Sequence, residues 1–382
     1  MLNKMEPLEL KVKRNILLNP GPGTTTYSVK MAQLVPDICH REKEFCLLLD
    51  GIRKDLVKIA SKSQEDHTAV LFAGSGTAAV ESVIISAIPD NKKLLVINNG
   101  AYGDRIAKIA RTFGINLEEQ KYSWNQGPDL ERVRRAVSES GIEYIAAVHH
   151  ETTSGLLNPI RKLGEIAKAN GCKFIVDAMS SFAGIAFKME ENNIDYLISS
   201  ANKCLQGMPG ISFVIAKKDE IEKLKDGKKK CFYLDLHAQY ESLEKQQQMR
   251  FTPPVQTAYA LRKAIDEFFE EGAERRQERY FKSWQTLTSG LHEIGFKLLI
   301  EDERMQSRIL TSVVEPKNQE YDFDRLHDRL YEKGFTIYPG KIGNMNTFRI
   351  ANMGAIDYRD IENFLSALKD SLKCMGIEKL VY

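Results

Sequence analysis

From about residue 55 to residue 216 the chain alternates short apolar, β-favouring runs with helical patterns, and polar, glycine-containing turns join them. Val70-Leu71-Phe72-Ala73 leads into Gly74-Ser75-Gly76-Thr77 and a helical stretch from Ala78 to Ala87. Lys93 to Asn98 leads into Asn99-Gly100-Ala101-Tyr102-Gly103 and a helix from Asp104 to Phe113. Tyr144 to His149 is followed by Glu151-Thr152-Thr153-Ser154-Gly155 and a helix near Pro159 to Asn170. Lys173 to Asp177, Tyr196 to Ser199 and Ile211 to Ala216 complete the series. Buried strands separated by helices predict an α/β fold with a mostly parallel sheet covered by helices. In such sheets ligands gather beyond the carboxyl ends of the strands.

After Pro253-Pro254 the pattern changes. A helix-favouring segment from about Val255 to Ile294 reads as the bridge to a second unit. Gly295 to Ile300, Ser307 to Val314 and Phe348 to Ala351 read as strands, with helices near Asp322–Lys333 and Asp357–Gly376. A chain of 382 residues suits two domains. The expected division is a large domain over residues 15–262 and a smaller α+β domain over residues 263–382, joined by residues 1–14.

Charge narrows the function. A net +2 from 54 basic and 52 acidic residues gives no reason to expect a nucleic-acid or membrane partner. No apolar run approaches the ~18 residues of a membrane span, and the charged N-terminus lacks a signal-peptide core. Six scattered cysteines without Cys-x-x-Cys spacing suit reduced thiols in the cytoplasm.

The candidate chemistry lies at the predicted strand ends. Lys203 follows the run Asp195 to Ser200, and Asp177 ends an earlier one. A lysine there can form a Schiff base with a carbonyl, and a buried aspartate can hold a protonated pyridine nitrogen. Together they suggest pyridoxal 5'-phosphate as cofactor, with Lys203 and Asp177 catalytic. Ser75, Gly76 and Thr77 offer hydroxyls and backbone N–H groups to a phosphate at a helix start. Tyr102 is placed to cover one ring face, and Thr152 to hydrogen-bond the ring's phenolic oxygen or the substrate. His149-His150-Glu151 lacks the spacing of two zinc ligands on one helix face, so no metal is expected.

These residues, with Asn19-Pro20-Gly21-Pro22 near the start and Thr347-Phe348-Arg349-Ile350 near the end, resemble the class V aminotransferases of the aspartate-aminotransferase-like fold, fold type I of the pyridoxal phosphate enzymes. Asp177-Ala178-Met179-Ser180-Ser181-Phe182 and the run Asp195 to Gly210 resemble, within that class, the 2-aminoethylphosphonate–pyruvate transaminase family. The resemblance spans essentially the whole chain. It implies amino transfer between aminoethylphosphonate and pyruvate, giving phosphonoacetaldehyde and alanine. It also implies Asn202 among the phosphate ligands, Arg349 as the substrate-anion arginine, and a homodimer in which Thr252 reaches the neighbouring subunit's phosphate. The stretch His40-Arg41-Glu42-Lys43-Glu44-Phe45 departs from that family and resembles phosphoserine aminotransferase, where such a pair helps bind a substrate phosphate. Arg41, with His40, is therefore expected to receive the phosphonate while Arg349 receives a carboxylate. Two alternatives stay open at this point: a class V enzyme acting on alanine and glyoxylate or on serine and pyruvate, and a lyase of the cysteine desulfurase kind. The lyase needs an activated cysteine, and nothing near Cys231 marks it as one.

Overall fold

Seven strands, six of them apolar runs, pair into one sheet in this computed structural model, which describes residues 15–382. In chain order the strands are β1 (His67–Ala73), β2 (Lys93–Asn98), β3 (Asn116–Lys121), β4 (Ile142–Val148), β5 (Lys173–Asp177), β6 (Tyr196–Ser200) and β7 (Ile211–Lys217). Their spatial order is β1-β7-β6-β5-β4-β2-β3, and β7 alone runs against the rest. Helices α1 (Lys43–Ala60), α2 (Gly76–Ala87), α3 (Ala101–Thr112), α4 (Leu130–Glu139) and α5 (Ile160–Ala169) pack on this sheet. The fold is thus α/β with a mostly parallel sheet, as the alternation predicts.

Burial on both faces explains why the strands carry so little polar alternation: Leu94 to Ile97 and Phe174 to Val176 are all wholly buried. The edge strand β3, Asn-Leu-Glu-Glu-Gln-Lys, was not anticipated. Its acidic and amide residues disfavour a strand, and pairing with β2 supplies what the composition lacks.

The helix-favouring stretch after Pro254 is two helices, α6 (Val255–Glu271) and α7 (Ala273–Ile294). Gly272, at φ 81°, turns the chain between them. A second core follows, built from Leu287 and Leu291 of α7, Phe296, Leu326 and Leu330 of α8 (Phe323–Glu332), Phe348 and Ile350, and the buried face of α9 (Tyr358–Cys374). Its sheet has the strands β8 (Leu310–Val314), β9 (Tyr338–Ile342) and β10 (Met345–Ala351), with β10 central. The strand expected over Gly295 to Ile300 is reduced to a single bridge from Leu298 to Val313. The strand expected from Ser307 starts only at Leu310, because Arg308 takes the left-handed conformation at φ 61°.

Leu18 joins this second core, and Ile16–Leu17 pairs in parallel with Phe335–Thr336. The expected contribution of residues 1–14 to the small domain lies outside the described residues. No helix among the described residues is long and apolar enough to cross a membrane.

Candidate active site

The parallel strands β1, β2, β4, β5 and β6 all end on one edge of the sheet, and the antiparallel β7 starts there. Asp177, the last residue of β5, lies level with Val148 on one side and Ile198 on the other. Lys203 follows β6 in a turn closed by the Gln206 N–H to the Lys203 carbonyl at 3.0 Å and the Gly207 N–H to the Ala201 carbonyl at 2.8 Å. A cavity of about 270 Å³ opens at this edge, lined by Ser75, Gly76, Thr77, Tyr102, Arg105, Asp177, Asn202 and Lys203 among others. Residues from four separate chain segments therefore meet in one place.

Asp177 is 4% exposed and accepts one hydrogen bond, from the Met179 N–H to Oδ1 at 2.9 Å. Burial without a direct ion pair pushes its carboxyl up to about 6, with Arg105 and Lys203 pulling weakly the other way. Burial likewise lowers the Lys203 ammonium to about 8. Its Nζ donates to the Pro20 carbonyl, and the side chain rests against Gly21.

At the start of α2, Ser75 adopts the extended backbone of a helix cap, yet its hydroxyl makes no capping bond. No acidic residue occupies the first turn. The helix end thus keeps its positive character for an anion. Gly76 lets Met179 pack close to the helix start: a carbon added there would lie 2.2 Å from its Sδ, so the methionine would have to shift. The Ser200 hydroxyl donates to the Asn202 side-chain carbonyl at 2.9 Å, orienting that amide.

Tyr102 sits in the first turn of α3, and the cap of that helix comes from elsewhere. Glu151, wholly buried, accepts from the N–H groups of Tyr102 at 3.1 Å and Gly103 at 3.4 Å. Its other oxygen accepts from the Thr153 hydroxyl at 2.6 Å. Burial raises this carboxyl to about 6. Gly100 gives Glu151 room: an added Cβ would lie 2.1 Å from its Cγ and Cδ.

Thr152 is 2% exposed, and its hydroxyl has no partner in the protein. Its carbonyl accepts from Arg349 Nη1 at 3.2 Å, while Nη2 reaches the Pro339 carbonyl at 2.7 Å. Arg349 lines an outer cavity of about 750 Å³ together with Tyr102, Arg105, Thr153 and Lys341. Glu315, Asp322 and Asp324 form an acidic wall of the same space. Burial, followed by those two aspartates, raises Glu315 to about 7. His149 and His150 share hydrogen bonds with the hydroxyls of Ser181 at 2.9 Å and Ser180 at 3.0 Å. Burial drives His149 down to about 3 and His150 well below its usual value, so both are neutral.

The remaining expected residues stand apart from these cavities. Arg41 donates to Gln248 Oε1 at 2.6 Å and to the carbonyls of Met249 at 3.4 Å and Arg250 at 3.3 Å. Thr252, two residues further on, is exposed, and His40 is half-buried; neither lines the inner or outer cavity. Arg105 and the capping role of Glu151 were not anticipated. Arg105 is three residues beyond Tyr102 on a helix that begins at a strand end, a spacing that could have drawn attention to it.

The donor set suits pyridoxal phosphate. A buried carboxylate lacking an ion pair suits a pyridinium, and an orphaned buried hydroxyl at Thr152 suits a phenolic oxygen. A helix start without acidic residues suits a phosphate.

Residues 24–352 match the family model described as aminotransferase class-V. A protein of Bacillus cereus named 2-aminoethylphosphonate–pyruvate transaminase is 44% identical over 356 residues, 92% of this chain and 96% of that one. One of the same name from Phocaeicola vulgatus is 40% identical over 94% of this chain and 99% of that one. Among solved structures, an alanine–glyoxylate aminotransferase from Nostoc superposes with a TM-score of 0.89 at 27% identity, covering 97% of each chain. The chain belongs to the class V aminotransferases, enzymes of fold type I that use pyridoxal phosphate.

Proposed function

We propose that the protein transfers an amino group between 2-aminoethylphosphonate and pyruvate, forming phosphonoacetaldehyde and L-alanine, in a reversible reaction. The observation that carries this reading is Lys203 and Asp177 lining one cavity, with Arg349 in the outer space it shares with Tyr102 and Arg105. The relatives named for this reaction, at 40% and 44% identity, support the choice of substrates.

Pyridoxal phosphate, when bound, supplies an aldehyde for the amino group and a ring that accepts electrons. Asp177 would keep a proton on the ring nitrogen. Its second oxygen is suited to this, because Oδ1 is engaged by Met179. Lys203 Nζ would hold the cofactor and, once free, take up and return the proton at the substrate carbon bearing nitrogen. Burial lowers its proton affinity to about 8, which brings it near working pH. Ser75, Gly76, Thr77 and Asn202 would hold the phosphate. Tyr102 would cover a ring face and exclude water, and the Thr152 hydroxyl would donate to the phenolic oxygen. The guanidinium of Arg349 would grip the carboxylate of pyruvate or alanine.

A homodimer fits the remaining residues. Thr252, Arg41 and His40 would then serve the neighbouring copy, Thr252 at its phosphate and the His40-Arg41 pair at the substrate phosphonate. Tyr27, Leu34, Leu47 and Phe232 are exposed near these segments in sequence and offer apolar surface for the contact. Two cores support a division into two domains: the larger one extends to Ile265 and the smaller takes up at Leu287, just beyond the expected boundary at residue 262, with Ile16–Leu17 crossing to the smaller one. Six free cysteines suit the reducing cytoplasm.

The test is a set of half-reactions on the purified holoenzyme, with aminoethylphosphonate, alanine and serine offered separately as donors and cofactor absorbance followed. Conversion by aminoethylphosphonate and alanine, with ping-pong kinetics, is expected. Conversion by alanine with none by the phosphonate would favour an alanine–glyoxylate type of enzyme instead.

A further inference from the structure

Arg105 is exposed at the cavity mouth, and its guanidinium folds back over Tyr102, with Cζ 4.8 Å from the ring centroid. Nη1 donates to the Thr77 hydroxyl at 3.2 Å, in the first turn of α2. Arg105 lines both the inner cavity, with Lys203 and Asp177, and the outer one, with Arg349. No carboxylate among the described residues forms an ion pair with it; the neighbouring Asp104 is paired with Lys108 at 2.7 Å. A guanidinium with no direct ion pair, attracted only weakly by Asp177 across the cavity and hydrogen-bonded at the positive end of a helix, adds like charge to like. The arrangement becomes favourable when an anion lies between the two. Arginine also offers the planar, paired donors that match phosphate oxygens.

We propose that Arg105 is a ligand of the cofactor phosphate, completing from α3 a cradle whose other side is Ser75, Gly76 and Thr77. The proposal rests on the assignment of those three residues to the phosphate made above. It gives Arg105 two contacts at once: the ring of Tyr102, which it steadies from one face, and the dianion, which it neutralises. α3 then fixes the ring end and the phosphate end of the cofactor through residues one helical turn apart.

The experiment compares the apo forms of the wild type, Arg105→Ala, Arg105→Lys and Thr77→Val. Each is titrated with pyridoxal phosphate and with pyridoxal, which lacks the phosphate, and binding is read from the absorbance of the bound aldehyde. Arg105→Ala is expected to weaken pyridoxal phosphate about 10- to 100-fold, as for loss of a charged hydrogen bond, and pyridoxal less than about 2-fold. Arg105→Lys should recover part of the phosphate affinity. Equal weakening of both ligands by Arg105→Ala would overturn the proposal and leave Arg105 as a support for Tyr102 alone. Selective loss in Thr77→Val but not in Arg105→Ala also overturns it while sustaining the cradle at α2. Selective loss in Arg105→Ala but not in Thr77→Val keeps Arg105 as the ligand and removes Thr77 from the cradle.

Discussion

A methyl group on Gly21 would lie 2.2 Å from Nζ of Lys203 and 2.5 Å from its Cε. The two residues are in direct contact although Gly21 belongs to the loop that follows Ile16–Leu17. The preceding carbonyl, of Pro20, accepts a hydrogen bond from the lysine. The Asn19-Pro20-Gly21-Pro22 loop therefore packs against the Lys203 side chain and holds its amine.

Gly21→Ala should damage catalysis more than folding. Gly21 has φ 133°, which L side chains rarely adopt, so alanine costs about 1–3 kcal/mol in strain besides the collision. The lysine is the mobile partner and would be displaced. Turnover is expected to fall at least about 10-fold, with a shift in the absorbance of the bound cofactor and a smaller change in KM. Steady-state kinetics with wild-type turnover in the alanine variant would show that the contact is dispensable.

Asp177→Asn should stabilise the apo protein while disabling it. The folded carboxyl titrates at about 6, above its ordinary 3.8, because burial opposes ionisation. Between those values the folded state binds more protons than the unfolded state, so stability falls as pH rises through the window. Above about pH 6 the penalty is complete; below about pH 4 both states are protonated and it vanishes. Apo Asp177→Asn should accordingly unfold at higher denaturant than the wild type at pH 7, by roughly 1–3 kcal/mol, and match it near pH 4. With cofactor the order should reverse, since the asparagine has no charge to offer the pyridinium. Denaturant titrations of both forms at the two pH values provide the check, and an apo variant less stable at pH 7 would refute the assignment.

The contrast between Lys203 and Arg105 shows how far the sequence could be read. Lys203, Asp177, Ser75 and Tyr102 each follow or end a recognisable strand, and parallel strands must end on the same edge. Their placement on one edge was therefore implied by the alternation, while their meeting in one cavity depends on a strand order that no local pattern announces. Arg105 carries no such mark, because on a helix it is indistinguishable from a solvated charge. Only the proximity of α2 and α3 brings it to Thr77. The reversed direction of β7 is likewise a tertiary choice, since its apolar run is no different from that of a parallel strand. Ile16–Leu17 lies too far in sequence from Phe335–Thr336 for any local pattern to announce the pairing.

Glu151→Ala should loosen Tyr102. It leaves the N–H groups of Tyr102 and Gly103 and the hydroxyl of Thr153 without their acceptor in a buried setting. A loss of about 2–4 kcal/mol in folding stability is expected from several orphaned donors together. The visible circular dichroism of the bound cofactor should weaken as the tyrosine ring loses its fixed orientation. Glu151→Gln keeps one acceptor oxygen for the Tyr102 and Gly103 N–H groups, at the cost of facing its amide toward the Thr153 N–H, and should restore the cofactor signal and part of the stability. If the glutamine variant behaved like the alanine one, the charge and not the cap would be what matters.

Arg41 and Arg349 should divide the two substrates between them. Arg349 is anchored by the carbonyls of Thr152 and Pro339 and lines the outer cavity of its own subunit. Arg41 is tied instead to Gln248, Met249 and Arg250, just before Thr252. In the proposed homodimer it would meet a substrate across the subunit contact. In such a dimer Arg41→Ala is expected to raise KM for aminoethylphosphonate about 10-fold or more and leave KM for pyruvate nearly unchanged. Arg349→Ala should raise KM for pyruvate and alanine by a similar factor. Steady-state kinetics of both variants with both substrates, together with sedimentation to verify the dimer, make the test. A rise in KM for pyruvate alone in Arg41→Ala would reverse the roles, and an active monomer would remove Arg41 from the substrate altogether.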